Sequence, residues 1–335
     1  MRVLVTGGGG FVGRHFTRAL LEAGYLVTVV DDLSTGLPLA EWPRGIRPDA
    51  HLRRRLRFEI ADLRDYVGAN TAPDYDAVFH LAAVVGGRLV IEGQPLRVGT
   101  DLAIDATLFN WCASSSSRVG TVVYFSSSAA YPVSLQGRRN AVPLAESMLR
   151  PGLADIGMPD QSYGWSKLTG EYLARLAVET HDLRVVTYRP FSGYGEDQDL
   201  CYPFPNIINR ALNREDPFVV WGSGEQLRDF IHIDDIVGAV MQTYQSLPSG
   251  AVVNLGSGIG TTFWELAHLA CAEVGYSPEI VNDSSKPEGV FARVADPSVM
   301  HKYYVPRISI CAGVARAVSA QRRLSHTYSA AASDG

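Results

Sequence analysis

The stretch that decides the fold is residues 1–31, MRVLVTGGGGFVGRHFTRALLEAGYLVTVVD, in which two apolar runs flank a glycine-rich turn. Residues 2–6 and 26–30 are rich in Val and Leu, which is typical of buried strands. Between them, residues 11–23 carry apolar side chains at helical spacing, and Gly24 follows as a helix stop. A strand, a turn, a helix and a second strand within about 30 residues predict a βαβ unit with parallel strands.

The alternation of strands and helices continues along the chain. Further strands are predicted at 56–60, 76–81, 120–126 and 183–188, and further helices at 101–113 and 163–180. This pattern predicts an α/β fold: a Rossmann-type doubly wound parallel sheet with a smaller C-terminal α/β lobe. We assign residues 1–188 to the Rossmann domain and 189–320 mainly to the second lobe, with segments that return to the first domain. The small and polar residues 325–335 predict a flexible tail.

Composition narrows the classes of function. The chain has 335 residues, with 30 basic and 35 acidic side chains and a formal net charge of −5. A nucleic-acid-binding protein usually shows a basic excess, which is missing here. No apolar run reaches the roughly 18 residues of a membrane span, and the N-terminus lacks the features of a signal peptide. The four cysteines are widely spaced, so no metal site or disulfide framework is predicted, and the reducing cytoplasm is the expected location.

The glycine-rich turn has the spacing of a dinucleotide-binding motif. Gly7, Gly10 and Gly13 satisfy GxxGxxG between a strand and a helix, which is the context that the motif requires. Glycine lets the backbone approach a pyrophosphate, and the start of the helix offers unpaired N–H groups. A plain turn between strand and helix is the alternative.

Asp31 ends the second strand, where a carboxylate can accept hydrogen bonds from both ribose hydroxyls. The same charge would repel the extra phosphate of NADP, so NAD is the expected cofactor. Asp32 is a candidate to share this role, and a turn carboxylate is the alternative for Asp31. Asp62, after the third strand, is a candidate for binding the adenine amino group or for capping a helix.

A second constellation lies further along the chain. Tyr163 and Lys167 are four residues apart in a predicted helix, so their side chains share a face. A nearby ammonium and the positive nicotinamide would lower the pKa of the tyrosine toward neutrality. The phenolate could then take a proton from a sugar hydroxyl as hydride leaves its carbon. The serines at 126–128 end a predicted strand and could offer a hydroxyl to the same oxygen.

In this order the motifs resemble those of the extended short-chain dehydrogenases/reductases, and specifically the nucleotide-sugar epimerase/dehydratase group. The resemblance covers nearly the whole chain, from Met1 to about residue 315. Its further landmarks are HLAA at 80–83, SSSAAY at 126–131, RPF at 189–191, GSGEQLRDF at 222–230, NLGSG at 254–258 and RVAD at 293–296.

The resemblance implies that NAD and a nucleotide-diphosphate sugar bind to the chain, with the sugar nucleotide between the two lobes. Ser127, four residues before Tyr131, matches the catalytic Ser/Thr of the family and acts beside Tyr163 and Lys167. The implied cofactor contacts are Gly7, Gly10, Phe11, Val12, Gly13, Asp31, Asp32, Asp62, Leu63, Leu81, Ala82, Ala83, Tyr163, Lys167 and Arg189. The implied substrate contacts are Val85, Gly86, Ser128, Ser192, Val219, Trp221, Arg228 and Arg293.

Two of these contacts, Arg228 and Arg293, match the arginines that hold the substrate diphosphate in the family, and a planar guanidinium suits phosphate oxygens. A surface salt bridge is the alternative for each of them. The resemblance also implies a homodimer built from the helices at 101–113 and 163–180. Their apolar positions serve either this contact or packing on the sheet, and they include Leu102, Leu108, Trp111, Leu168, Tyr172 and Leu176.

The second step of the reaction differs within this group. Dehydratases are similar in placing Asp and Glu in the strand-end motif, where this chain has Ser128 and Ala129. The cysteine that GDP-fucose synthases and GDP-mannose 3,5-epimerases carry there is also absent. A 4-epimerase needs no further acid or base, so the sequence favours C4 epimerisation through a transient 4-keto intermediate, with Tyr163 as base. The alternatives are a 3,5-epimerase, dehydratase or decarboxylase with a relocated acid or base, and a non-catalytic dinucleotide-sensing protein.

Several departures from the family pattern bear on the substrate. Ser192 stands where asparagine is usual, and Thr100-Asp101-Leu102 stands where an Asn-containing pattern is usual, which predicts an unusual sugar or nucleotide. The stretch Val85-Gly86-Gly87 resembles a loop of GDP-fucose synthases and GDP-mannose 3,5-epimerases. The relocated acid or base of the alternative reactions would come from Cys112, Cys201 or His232, although each of Cys112 and His232 also suits a structural position.

Overall fold

The computed structural model of the chain describes residues 1–84, 93–149 and 155–333, with side chains as far as residue 323. Within these residues the centre is a seven-stranded, fully parallel sheet. Its strands are β1 (Arg2–Thr6), β2 (Leu26–Asp31), β3 (Leu56–Ile60), β4 (Asp74–His80), β5 (Arg118–Phe125), β6 (Val185–Pro190) and β10 (Ala251–Leu255), in the spatial order β10-β6-β5-β4-β1-β2-β3. The predicted Rossmann-type doubly wound sheet is confirmed.

The strand order changes direction between β1 and β4. The chain moves outward through β2 and β3 on one side and through β5 and β6 on the other. At such a switch point the segments after neighbouring strands diverge and leave a crevice at the carboxyl ends of the strands. The turn after β1 and the segment after β4 therefore border the position where folds of this class bind ligands.

Helices cover both faces of this sheet. The helices of the described residues, in both lobes, are α1 (Phe11–Glu22), α2 (Ala50–Arg53), α3 (Leu63–Ala69), α4 (Pro95–Val98), α5 (Thr100–Cys112), α6 (Gln161–His181), α7 (Pro203–Leu212), α8 (Ile233–Thr243), α9 (Phe263–Val274) and α10 (Ile310–Ser333). α1 and α8 cover one face, and α3, α5 and α6 cover the other. Buried side chains in the two layers include Phe16, Leu20, Ile236 and Val240 on the first face and Tyr66, Leu108, Trp111 and Ala174 on the second.

The second lobe is built around a smaller, mixed sheet. Its central strand is β9 (Leu227–His232), which pairs in parallel with β7 (Ser192–Tyr194) and β13 (Ala292–Arg293) and antiparallel with β11 (Gly260–Thr262). A separate parallel pair joins β8 (Phe218–Trp221) to β12 (Ile280–Asp283). Helices α7, α9 and α10 pack against these strands around an apolar cluster that includes Phe204, Ile208, Phe218, Leu266 and Val314.

Two parts of the C-terminal half differ from a simple division into lobes. Helix α8 packs beside α1, and β10 pairs with β6, so residues 233–255 belong to the Rossmann sheet and its helical layer. Helix α10 continues to Ser333, which includes most of the stretch where the sequence predicts a flexible tail. The mobility of that stretch stays a prediction.

Five of the six apolar positions on α5 and α6 divide into a buried and an exposed set, and the sixth, Leu176, is half-buried. Leu108, Trp111 and Leu168 are at most 5% exposed and pack inside the protein. Leu102 and Tyr172 are 40% and 48% exposed. The exposed set is compatible with a subunit contact, and the homodimer stays a prediction.

Among the described residues, no helix is both long enough and apolar enough to cross a membrane. The same residues contain no cluster of three or more His, Cys, Asp or Glu side chains suited to a metal ion.

Candidate active site

The glycine-rich turn forms a tight backbone cradle after β1. Gly7 has a φ of +70°, and a Cβ there would lie 2.6 Å from the backbone nitrogen of Ala82. A Cβ on Gly13 would lie 2.1 Å from the carbonyl oxygen of Gly7. Gly10 precedes α1 and supplies no side-chain cap, so the first N–H groups of the helix are left for a ligand. The cradle therefore fits a pyrophosphate.

Asp31 lies beside this cradle at the end of β2. One carboxylate oxygen accepts the N–H of Gly9 at 2.8 Å, and the other accepts the N–H of Leu33 at 2.8 Å. These bonds fix the carboxylate and leave lone pairs for further donors, since a carboxylate has about four acceptor sites. Burial raises the pKa of Asp31 despite the two N–H donors. The arrangement is compatible with a pair of ribose hydroxyls.

The other predicted contacts of the adenosine have structural partners of their own. Asp32 accepts the N–H of Ser34 at 2.9 Å. Asp62 caps α3 by accepting the N–H of Arg64 at 2.8 Å, and it also forms an ion pair with the guanidinium of Arg64 at 2.6 Å. Leu63 is buried in the first turn of that helix. The helix cap is thus present, and a contact of Asp62 with adenine stays a prediction.

The predicted catalytic side chains lie together at the carboxyl end of β5. Tyr163 and Lys167 are on α6, and the hydroxyl of Ser127 forms a hydrogen bond with Tyr163. The Lys167 ammonium lies 5.8 Å from the centroid of the Tyr163 ring. This geometry can hold a substrate hydroxyl between Ser127 and Tyr163 and keep a positive charge beside the phenol.

Two buried carboxylates on α5, Asp101 and Asp105, also act on this pair. Burial raises the pKa of Tyr163, Lys167 lowers it, and the two carboxylates raise it further, so the net pKa lies above the ordinary value. For Lys167 the effect of burial is outweighed by the nearby negative groups, which raise its pKa. The chain alone therefore does not lower the pKa of Tyr163, and the joint effect of Lys167 and a positive nicotinamide, which the sequence predicts, stays a prediction.

Asp105 belongs to a buried hydrogen-bonded chain that sequence reasoning missed. It accepts the hydroxyl of Tyr124 at 2.7 Å and the Nε2–H of His80 at 2.9 Å. His80 Nδ1 in turn accepts the hydroxyl of Thr6 at 2.7 Å. These contacts link β1, β4 and β5 to α5 directly beneath the lysine. The signal in the sequence that could have revealed this chain of hydrogen bonds is the pair Asp101 and Asp105, four residues apart in a mostly apolar helix.

Half of the eight predicted substrate contacts meet at one cavity of about 300 Å³ between the lobes. Ser127 and Tyr163 line it together with four of the predicted substrate contacts, which are Ser128, Ser192, Arg228 and Arg293. Sequence reasoning missed other side chains in its wall, which include Asp160, Gln161, Gln198, Tyr202, Phe204 and Phe263. They come from the loop before α6 and its first residue, from the loop before α7 and its first turn, and from the start of α9. No spacing in the sequence connects these segments.

The two predicted diphosphate ligands are held at the cavity wall by protein groups. Arg293 donates to Asp160 and to Gln136, each at 2.7 Å. Arg228 donates to the carbonyl of Leu227 at 2.8 Å. These bonds orient both guanidinium groups, and their binding of a diphosphate stays a prediction.

Other predicted contacts lie elsewhere. Val219 and Trp221 are on β8, and neither lines this cavity; the Trp221 ring is 45% exposed. Val85 and Gly86 fall outside the described residues. Leu81, Ala82 and Ala83 follow β4, and the backbone of Leu81 and Ala82 lies against Gly7. The contact of these three residues with the cofactor stays a prediction.

Arg189 requires a correction. Its side chain is fully buried and forms a two-pronged ion pair with Glu171 at 2.8 and 2.6 Å. It also donates to the hydroxyl of Tyr131 at 2.9 Å and to the carbonyl of Leu149 at 2.8 Å. The guanidinium is thus enclosed by protein groups, so the structure gives Arg189 a structural role in place of the predicted cofactor contact.

The candidates for a relocated acid or base are also placed by the structure. Cys112 is buried in α5, and burial raises its pKa to about 12, which makes it a poor proton donor or acceptor near neutral pH. Cys201 is exposed and does not line the cavity. His232 caps α8 by accepting the N–H of Asp234 at 3.1 Å. None of the three side chains therefore faces the cavity as an acid or base.

The chain is similar to known proteins in both sequence and structure. The sequence model of the NAD dependent epimerase/dehydratase family matches residues 3–256. The chain is 26% identical over 326 residues to a putative UDP-glucose 4-epimerase of Methanocaldococcus jannaschii, which covers 95% of this chain and 97% of that protein. The structure of Thermotoga maritima UDP-glucose 4-epimerase with UDP-glucose is 25% identical and has a TM-score of 0.82 over 97% of this chain and 99% of that one.

A dTDP-glucose 4,6-dehydratase from Streptomyces venezuelae, solved with NAD bound, is 26% identical and has a TM-score of 0.80 over 96% of this chain and 97% of that one. The glycine cradle, Asp31 and the Tyr163–Lys167 pair stand in the order and places that the sequence predicts for a dinucleotide site. Since the family match spans well over half of the chain, the protein belongs to the NAD-dependent epimerase/dehydratase family and uses NAD as its cofactor.

Proposed function

We propose that this protein is a nucleotide-sugar 4-epimerase that works through a transient 4-keto sugar. The proposal rests on the side chains that line the cavity, where Ser127 and Tyr163 lie beside the small residues Ser128 and Ala129. The carboxylate in its wall, Asp160, is bound to Arg293. An epimerase needs no more than the Ser–Tyr pair, and the relatives named as UDP-glucose 4-epimerases support the same reaction.

In this mechanism Ser127 and Tyr163 hold the C4 hydroxyl, and the Tyr163 phenolate takes its proton. Bound NAD would supply the hydride acceptor at C4 and the source of its return. Lys167 stabilises the phenolate by its charge, while Asp101 and Asp105 limit that effect. After the sugar turns in the cavity and presents the opposite face of C4 for hydride return, Tyr163 gives the proton back to the C4 oxygen.

The experiment tests whether the hydrogen on C4 is retained and whether hydrogen from the solvent enters the carbons of the sugar. NAD-loaded protein is incubated in D₂O with UDP-glucose, UDP-N-acetylglucosamine or dTDP-glucose, and the sugars are followed by NMR and the cofactor by its absorbance. We expect interconversion of the C4 epimers, no deuterium on the carbons of the sugar and no accumulation of NADH. Stoichiometric NADH would contradict an epimerase, and a lack of reaction with every sugar offered would count against the proposal.

One observation favours the alternative of a dehydratase, a decarboxylase or a 3,5-epimerase. Tyr202 and Tyr163 line the same cavity, and burial, followed by the negative charge of an ionised Tyr163, raises the pKa of Tyr202. A second proton carrier in this position could act beside the ketone. Deuterium at C3, C5 or C6 in the same experiment would favour one of these alternative reactions over C4 epimerisation.

The pH dependence of turnover tests the role of Asp101. Because the negative charge of Asp101 raises the pKa of Tyr163, we expect Asp101→Asn to shift the acidic limb of the kcat profile to lower pH. The base must be deprotonated to act, so a lower pKa extends activity into more acidic solution. Asp65→Asn, at an exposed site on α3, is the matched control and should leave the limb in place. An unmoved limb in Asp101→Asn would mean that Asp101 carries no charge during turnover.

A further inference from the structure

Of the two polar atoms of the Gln198 side chain, only the nitrogen has a hydrogen-bond partner among the described residues. It lines the substrate cavity, and its Nε2 donates to the carbonyl of Gly193 at 3.0 Å. Its Oε1 is buried, and no described residue donates a hydrogen bond to it. A buried acceptor without a donor is uncommon because it has lost its bond to water without a replacement.

The orientation of this amide is fixed by its surroundings. Exchange of the oxygen and nitrogen positions would set Oε1 against the carbonyl oxygen of Gly193, so two acceptors would face each other. The oxygen is therefore the atom without a partner.

The segment that carries Gln198 is anchored to the cofactor lobe. Asp197, its neighbour, accepts from Arg14 Nε at 2.6 Å and from His15 Nε2 at 2.9 Å. Arg14 also donates to the Asp197 carbonyl. Both partners belong to α1, the helix that follows the glycine cradle. The Gln198 oxygen is thus held in place before any ligand binds, which is the condition for a selective contact.

We propose that Gln198 Oε1 accepts a hydrogen bond from a hydroxyl of the substrate sugar and selects sugars that carry that hydroxyl. The assignment rests on the proposed nucleotide-sugar function. A neutral acceptor in this position favours a donor and disfavours a carboxylate or a keto oxygen, since these offer no hydrogen. A site built to bond a substrate hydroxyl rejects the analogue without it, because the buried partner is then left unpaired.

The test compares Gln198→Leu with the wild type. Calorimetric titrations use NAD-loaded protein and UDP-glucose, dTDP-glucose or GDP-mannose, whichever binds, followed by its 2-, 3- and 6-deoxy analogues. In the wild type, one particular deoxy analogue should bind about tenfold more weakly than the parent, as expected for the loss of one hydrogen bond. In Gln198→Leu the same analogue and the parent should bind equally.

A thermal melt of the sugar-free protein separates this role from a structural one. Gln198→Leu should have a Tm close to that of the wild type, because it removes a buried acceptor to which no described residue donates together with the single bond from Nε2 to the Gly193 carbonyl. Gln242→Leu is the matched control. The amide of Gln242 also donates to a backbone carbonyl, that of Tyr303 at 2.7 Å, but it is exposed on α8. This control should bind every analogue like the wild type.

The outcomes are distinct. Equal losses for each analogue in wild type and Gln198→Leu would overturn the assignment of Gln198 alone. A lower Tm with unchanged selectivity would likewise make Gln198 a structural residue. Failure of every nucleotide sugar to bind wild-type protein would contradict the proposed function itself, and the assignment with it.

Discussion

Tyr163→Phe should lower turnover about 10²- to 10⁴-fold, which is the range typical of a lost acid–base group. The change removes one hydroxyl, so the ring, its place on α6 and its contact with Lys167 are preserved. Without the phenol, the C4 hydroxyl has no group to receive its proton. The measurement is the initial rate of C4 epimer formation under saturating sugar nucleotide, with NAD content checked by absorbance.

The matched control is Tyr172→Phe, which removes the same atom from an exposed tyrosine nine residues further along the same helix. It should keep wild-type turnover. Similar rates for Tyr163→Phe and the control would contradict the catalytic assignment. A loss of NAD in Tyr163→Phe would instead show a binding role, and the rate would then have to be measured with NAD restored.

Arg189→Met should destabilise the protein by about 3–5 kcal/mol, because it leaves the buried carboxylate of Glu171 without its partner. Glu171 also accepts the hydroxyl of Ser126 at 2.5 Å, a single neutral donor that cannot replace a guanidinium. The free energy of unfolding is measured by urea titration with an unchanged m-value as the check on the transition.

Two companion variants make this prediction specific. Arg175→Met breaks the exposed pair between Arg175 and Glu179 on the same helix, and it should cost at most about 1 kcal/mol. The double change Glu171→Leu with Arg189→Met removes both buried charges and should recover most of the loss. Equal losses in Arg189→Met and Arg175→Met would show that burial does not matter here. Unchanged NAD affinity in folded Arg189→Met would agree with its place outside the cofactor site.

Much of the cofactor site was accessible from sequence because its signals are local. The turn from Gly7 to Gly13 sits within one βαβ unit, and Asp31 ends the next strand, so short-range spacing places them together. The i, i+4 spacing of Tyr163 and Lys167 on one helix is equally local. The position of Arg189 was misjudged because a motif match gives no information about burial, and its partners Glu171 and Tyr131 come from distant segments.

What the sequence by itself determined is the architecture, the family and the residues that its periodic and glycine motifs bring together. What only the tertiary structure decided is the environment of those residues. The carboxylates of α5 oppose the effect of Lys167 on Tyr163, and no described residue donates a hydrogen bond to Gln198 Oε1. Both effects depend on desolvation and on distances between segments far apart in the chain, because electrostatic and hydrogen-bond energies are set by burial and by neighbours that local spacing does not specify.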